Sequence, residues 1–170
     1  NIQGGMTGMT DLVCTKRDVA TDAEFMRALA ECGDYISRFG LTMSPKTLAA
    51  LCEKHEEALR DNRRIEFGAG TMKKLVLAFA DSPFMDDECY ADRLSELIDA
   101  FYYFKNESLD LISDDELIDQ MRKAFDRYEG DTEAVACISL ERLCRMRRFG
   151  IELDEEEDVE EEDDEDCKYR

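Results

Sequence analysis

Apolar residues recur at three-to-four spacing through most of the chain, and the runs are bounded by residues that start or stop helices. Thr21-Asp22-Ala23-Glu24 has the form of a capping box, and Phe25, Met26, Leu29, Cys32, Ile36 and Phe39 follow it as far as Gly40. This predicts a first helix over 22–39. Ser44-Pro45 offers an N-cap and a first-turn proline for a second, whose Leu48, Leu51, Cys52, His55, Ala58 and Leu59 form one stripe ending at Asn62. The stretch from Arg63 to Gly70 lacks that period and reads as a short extended piece or a loop. Thr71 is placed to cap a third helix with Met72, Leu75, Val76 and Phe79, stopped by Asp81-Ser82-Pro83.

The cleanest stripe follows. Asp86, Asp87 and Glu88 suit the positive end of a helix dipole, and Tyr90, Leu94, Leu97, Ile98, Phe101 and Phe104 then predict a helix over 86–106. Ser113-Asp114-Asp115-Glu116 is a second capping box, launching Leu117, Ile118, Met121 and Phe125 and closing near Gly130. The last segment, 131–149, is expected to bury Val135, Ile138, Leu143 and Met146 before Gly150 stops it. Six helical patterns, no alternating strand and two prolines predict an all-α, single-domain bundle of about six helices over residues 21–150. Residues 1–20 read as a flexible N-terminal segment whose glycine-rich start fits a tag remnant ahead of Met6 or Met9.

Charge changes this picture at one end. The chain holds 22 Lys and Arg against 42 Asp and Glu, a net charge of −20, yet 44% of its 170 residues are hydrophobic, enough for a core. Thirteen of the acids lie in residues 152–166, so the segment 151–170 reads as a disordered or conditionally ordered acidic tail. With Lys168 and Arg170 that tail carries −11, leaving −9 for the rest. A polyanion is repelled by nucleic acid and by anionic membranes, so neither is an expected direct partner, and no apolar run is long enough to span a bilayer. Seven cysteines, an odd number without a C-x-x-C pair, together with the lack of an export signal, suggest a reduced, cytoplasmic chain.

Little of the remaining chemistry is specific. His55 is the only histidine, so it reads as a satisfied or solvent-facing side chain; no metal site, cofactor or catalytic residue is assigned. Calcium loops are rejected at 126–137, where Asp131 replaces the required glycine and Cys137 the bidentate glutamate, and at 106–117. Gly68-Ala69-Gly70 ahead of a helix, with Arg63, Arg64, Lys73 and Lys74 around it, is a candidate small-anion or phosphate site; the pattern lacks the G-K-[ST] ending of a P-loop. Within Phe101-Tyr102-Tyr103-Phe104 the two phenylalanines belong to the buried stripe and the two tyrosines are expected to point elsewhere, toward a second packing surface. Arg142, Arg145, Arg147 and Arg148 crowd the last helix as candidate docking cations for a partner or for the tail.

Three functions for the tail stay open: solubility, capture of a basic partner, and folding back onto those arginines. The leading expectation is a non-catalytic protein-interaction or regulatory domain that uses the tail and the arginine-bearing helix toward a protein partner. One alternative is an anion-binding module or enzyme built on the 63–74 loop, with Glu66 among its cations. Another is a nucleic-acid mimic that inhibits a DNA-handling enzyme.

In order along the chain, Arg64-Ile65-Glu66-Phe67-Gly68, Asp81-Ser82-Pro83, Phe101-Tyr102-Tyr103-Phe104-Lys105-Asn106-Glu107 and Ser113-Asp114-Asp115-Glu116-Leu117 resemble an uncharacterised bacterial domain-of-unknown-function family of small acidic helical proteins. The resemblance spans roughly residues 45–145 and leaves the tail outside. It implies a bacterial cytoplasmic origin and a helical fold, and carries no activity or catalytic residue.

Overall fold

A computed structural model of the chain describes residues 19–150, with side chains from Ala23 onward. The expectations for 1–20 and for the acidic tail 151–170 fall outside these described residues, save that Val19 and Ala20 already belong to a helix. Among the described residues every regular element is helical. The elements are α1 (Val19–Ala30), the single turn α2 (Gly33–Ile36), α3 (Pro45–Asp61), α4 (Gly70–Phe79), α5 (Tyr90–Glu107), α6 (Asp114–Arg127), the turn α7 (Thr132–Ala134) and α8 (Glu141–Phe149). A 3₁₀ turn, Ser37–Phe39, extends α2, and a π-helical stretch, Val135–Leu140, joins α7 to α8, so 132–149 is one continuous segment. Counted that way, the bundle has the six helices expected.

Two boundaries follow from local capping. Ser44 accepts the Thr47 N–H and Pro45 opens α3; Ser113 likewise accepts the Glu116 N–H and opens α6. In both, an otherwise orphaned donor of the first turn is satisfied by a residue the sequence supplies in place.

Elsewhere the structure corrects the pattern. The first helix does not run over 22–39: it breaks at Glu31–Cys32, where the Cys32 N–H bonds three residues back to Leu29, and resumes at Gly33. The break lets Leu29, Cys32 and Ile36 all reach the core, while Phe39 is left 43% exposed. Thr71 is not the cap of α4, which starts one residue earlier with Ala69 in the capping position. The helix predicted over 86–106 is α5 and starts at Tyr90, because the acids ahead of it are used as acceptors: Asp86 takes the Cys89 N–H of its own turn and Asp87 takes the Thr42 N–H from the loop before α3. In the last segment Ile138 is half exposed and Met146 only partly buried. The π stretch puts Val135 and Leu140, five apart, on the core side, with Leu143 and Cys144 following.

Packing is pairwise. α3 lies along α5, α4 along α6, α1 covers α3 and α4, and the 132–149 segment closes against α5 and α6. Phe79 meets Phe125 edge-on, with ring centroids 5.3 Å apart, at the heart of a core that includes Leu75, Leu94, Leu97, Ile98, Leu117 and Met121. Charged latches bind the pairs: Arg122 of α6 donates to the Ala78 carbonyl, Asp81 and Asp126, and buried Lys105 donates to the Ile112 carbonyl at 2.7 Å and meets Asp114 at 2.9 Å.

Gly130 shows how tightly one turn is built. Its φ is +84°, its carbonyl accepts Arg93 Nη1 at 2.7 Å, and a Cβ there would lie 2.0 Å from that nitrogen and 3.0 Å from Phe84 Cβ. Gly40 shares the positive φ but has open space around it. Gly130→Ala is therefore expected to lower unfolding free energy by about 2–3 kcal/mol and Gly40→Ala by only about 1 kcal/mol. Urea denaturation of both variants checks this; equal losses would mean that the Arg93–Phe84 contact adds nothing.

Candidate functional site

His55, on the core face of α3, is fully buried between the Phe25 ring, stacked at 4.9 Å, and the Tyr102 ring at 5.7 Å. Tyr102 is buried as well, not directed elsewhere as the helical stripe implied, and only Tyr103 is exposed. The reason is a hydrogen-bond partner 36 residues away in sequence: Tyr102 Oη donates to Glu66 Oε2 at 2.6 Å. His55 Nε2 lies 3.1 Å from the same Oη and 3.3 Å from Glu66 Oε1. Since the tyrosine proton goes to Glu66, its oxygen can only accept from His55, so Nε2 carries hydrogen and is shared between two acceptors. Nδ1 has no hydrogen-bond partner.

Glu66 sits in the 64–69 loop and is held from three helices, since Thr71 of α4 also bonds its carboxylate. Burial alone would raise its pKa. The bonds from His55, Tyr102 and Thr71 outweigh that, so the carboxyl is held below its usual range. Burial and the Glu66 carboxylate push the Tyr102 hydroxyl upward. With His55 sealed from solvent, this cluster is an internal lock for the loop.

The four cations around the glycine turn do not converge on one position. Arg64 grips Asp110, at 2.8 and 3.2 Å, and Asn106 at 2.8 Å; Lys74 meets Asp115 at 2.7 Å; Lys73 turns to Glu31 of α1 at 3.6 Å. Arg63 is exposed and makes no ion pair among the described residues. An anion arriving here would have to displace carboxylates already in place.

The arginines of the last helix are similarly engaged. Arg145 meets Glu141 at 2.7 Å, Arg147 pairs with Glu116 of α6, and Arg148 lies 3.9 Å from Glu107 of α5; Arg142 is exposed. Arg145 and Arg148 line a cleft of about 1150 Å³ between α5 and the 132–149 segment, floored by Tyr103, Phe104 and Ala136. Six carboxylates, Asp61, Glu96, Asp99, Glu107, Glu133 and Glu141, share its walls with those two arginines. Cys144 is buried at its base, donating to the Phe104 carbonyl at 3.5 Å, and burial pushes its thiol up to about 11, so it is protonated and inert at neutral pH.

The sequence pattern does not mark this cleft, because its acids come from three separate segments, the end of α3, α5 and 132–149. Neither does it mark the inward Glu66, which looks like one more charge among cations. An extended loop after a helix, with an acid flanked by two apolar residues, was the one available signal.

The fold and these sites define an all-helical domain with an internal polar lock and an acidic cleft. The chain belongs to a family of unknown function, DUF6323, whose model matches residues 28–153 and so takes in the whole stretch of resemblance. No curated protein matches the chain, and no solved structure does. No helix among the described residues is long and apolar enough to cross a membrane.

Because the folded chain holds the Glu66 carboxylate more tightly than its acid form, this group stabilises the fold at neutral pH and ceases to as pH falls. Glu66→Gln is expected to cost about 1–2 kcal/mol at neutral pH, the gap closing as pH falls through and below the ordinary glutamate range. Parallel denaturation curves at several pH values test it; a gap independent of pH would refute the assignment.

Proposed function

We propose that this chain is a non-catalytic protein-interaction domain that takes a basic segment of a partner protein into the α5–α8 cleft. The observation that carries the reading is the cleft wall: six carboxylates against two arginines, over a floor of Tyr103 and Phe104. A lysine- or arginine-rich segment supplies the missing charge, and its alkyl stems suit an aromatic floor. Phe149 lines the same cleft, so the thirteen acids of 152–166 begin three residues from its edge and add to the field that steers a cation there.

This places the handle on the carboxylates. Arg145, Arg147 and Arg148 already face acids of the body, which leaves them less to offer an acidic tail or partner than their number suggests.

Asp61 and Glu133 line the cleft without ion-pair partners among the described residues. Neutralising both, as Asp61→Asn with Glu133→Gln in the full chain, is expected to weaken binding of an arginine-rich peptide about three- to tenfold, the loss shrinking in high salt. The comparison is Glu24→Gln with Asp34→Asn, two exposed acids outside the cleft lining and equal in charge change. Titration calorimetry reads both; equal losses would make the attraction one of net charge and remove the cleft from the account.

A further inference from the structure

Ile65 and Phe67 are 86% and 92% exposed, more than any other large apolar side chain among the described residues. They flank Glu66, whose side chain turns inward to Tyr102 and His55, so the segment alternates as a strand does, one residue in and its neighbours out. The N–H and C=O groups of Ile65, Glu66 and Phe67 make no backbone hydrogen bond among the described residues. An extended, apolar segment with unpaired backbone is a template for another strand.

We propose that this segment is a self-association edge, through which two copies of the chain pair residues 65–67 antiparallel about a two-fold axis at Glu66. That register is self-complementary. It sets Ile65 of each copy opposite Phe67 of the other, a β-branched residue against an aromatic, among the favourable cross-strand pairs, while both Glu66 side chains stay in their own interiors. The loop at 108–112 widens the surface: Leu109 and Leu111 are 64% and 57% exposed, and the Arg64–Asp110 pair ties their loop to this one.

Charge favours a second copy at this end of the molecule. Two chains of net charge −20 repel, yet here the acids of the 110–115 stretch are paired, Asp110 with Arg64, Asp114 with Lys105 and Asp115 with Lys74, while Arg63 beside the edge is exposed without an ion pair among the described residues, so these groups carry no surplus of acid. Like-charged copies meet at least cost where their surfaces are locally neutral. Screening the remaining repulsion then strengthens the pair, the opposite of what salt does to a basic segment in the cleft.

Sedimentation equilibrium of the full chain from micromolar to millimolar concentration tests the proposal. The expected result is a monomer–dimer equilibrium that tightens as salt is raised, with a dissociation constant raised about tenfold or more by Phe67→Asp and less by Phe67→Ala. At concentrations where the wild type is monomeric both variants should keep its melting temperature, since the side chain is almost wholly in solvent. Asp61→Asn with Glu133→Gln should leave the dimer intact, which separates this surface from the cleft. A wild-type chain that stays monomeric throughout overturns the proposal and leaves the edge to a foreign strand. So does a dimer that survives Phe67→Asp.

Discussion

A single carboxylate turned inward governs much of this bundle. Glu66 has a hydrogen bond from Tyr102 of α5, shares Nε2–H of His55 on α3, and is met by Thr71 of α4, so one loop residue ties three helices. Without it the tyrosine hydroxyl and the imidazole N–H would be buried donors with fewer acceptors, at a cost of about 1–3 kcal/mol for a group left unsatisfied. The cost of bringing a charge inside is offset by those donors, and the low local dielectric strengthens each bond. The geometry has a corollary. If an extended backbone points Glu66 inward, its neighbours Ile65 and Phe67 must point outward, so two large apolar side chains stand in solvent as a consequence of the lock.

The same logic orders the other charges. An acidic body has fewer cations than acids, and several of them are placed where they join elements: Lys54 of α3 meets Asp99 of α5 at 2.6 Å, Lys105 closes the turn into α6, Arg122 joins α6 to the end of α4, and Arg147 joins α8 to α6. The turn that Lys105 closes contains Leu109 and Asp110 at positive φ, a strained conformation that its bonds to Ile112 and Asp114 help hold. Acids still outnumber cations at the surface, and the α5–α8 cleft collects six of them, Asp99, Glu107 and Glu141 ion-paired and Asp61, Glu96 and Glu133 without an ion pair among the described residues.

How much of this was legible depended on the range of the signal. Ser44-Pro45 and Ser113 could be read because a cap is satisfied within three residues, and the six-helix bundle because its stripes repeat. Asp86 and Asp87 misled because an acid ahead of a helix can serve the dipole or accept a backbone N–H, from its own turn or from a distant loop, and only the fold chooses. Ile138 misled because the π stretch adds a residue to one turn, which no 3.6-residue template contains. Tyr102 and Glu66 were invisible as a pair, being 36 residues apart, and each had a sensible local reading, one as part of a second packing surface and the other as part of a charged loop. The cleft was hidden for the same reason: its carboxylates are dispersed in sequence.

The surplus charge and the exposed edge are best understood together. An unpaired apolar segment is ordinarily an aggregation hazard, and proteins blunt such edges with charge. Here the blunting is global: −20 on 170 residues keeps copies apart in most orientations while leaving the charge-matched end approachable. An edge of three or four residues is also too short to support a sheet, and a two-fold contact that uses each segment once closes on itself. An acidic body with one neutral, apolar edge is thus protected against open-ended association by the same charges that make its cleft attractive to cations.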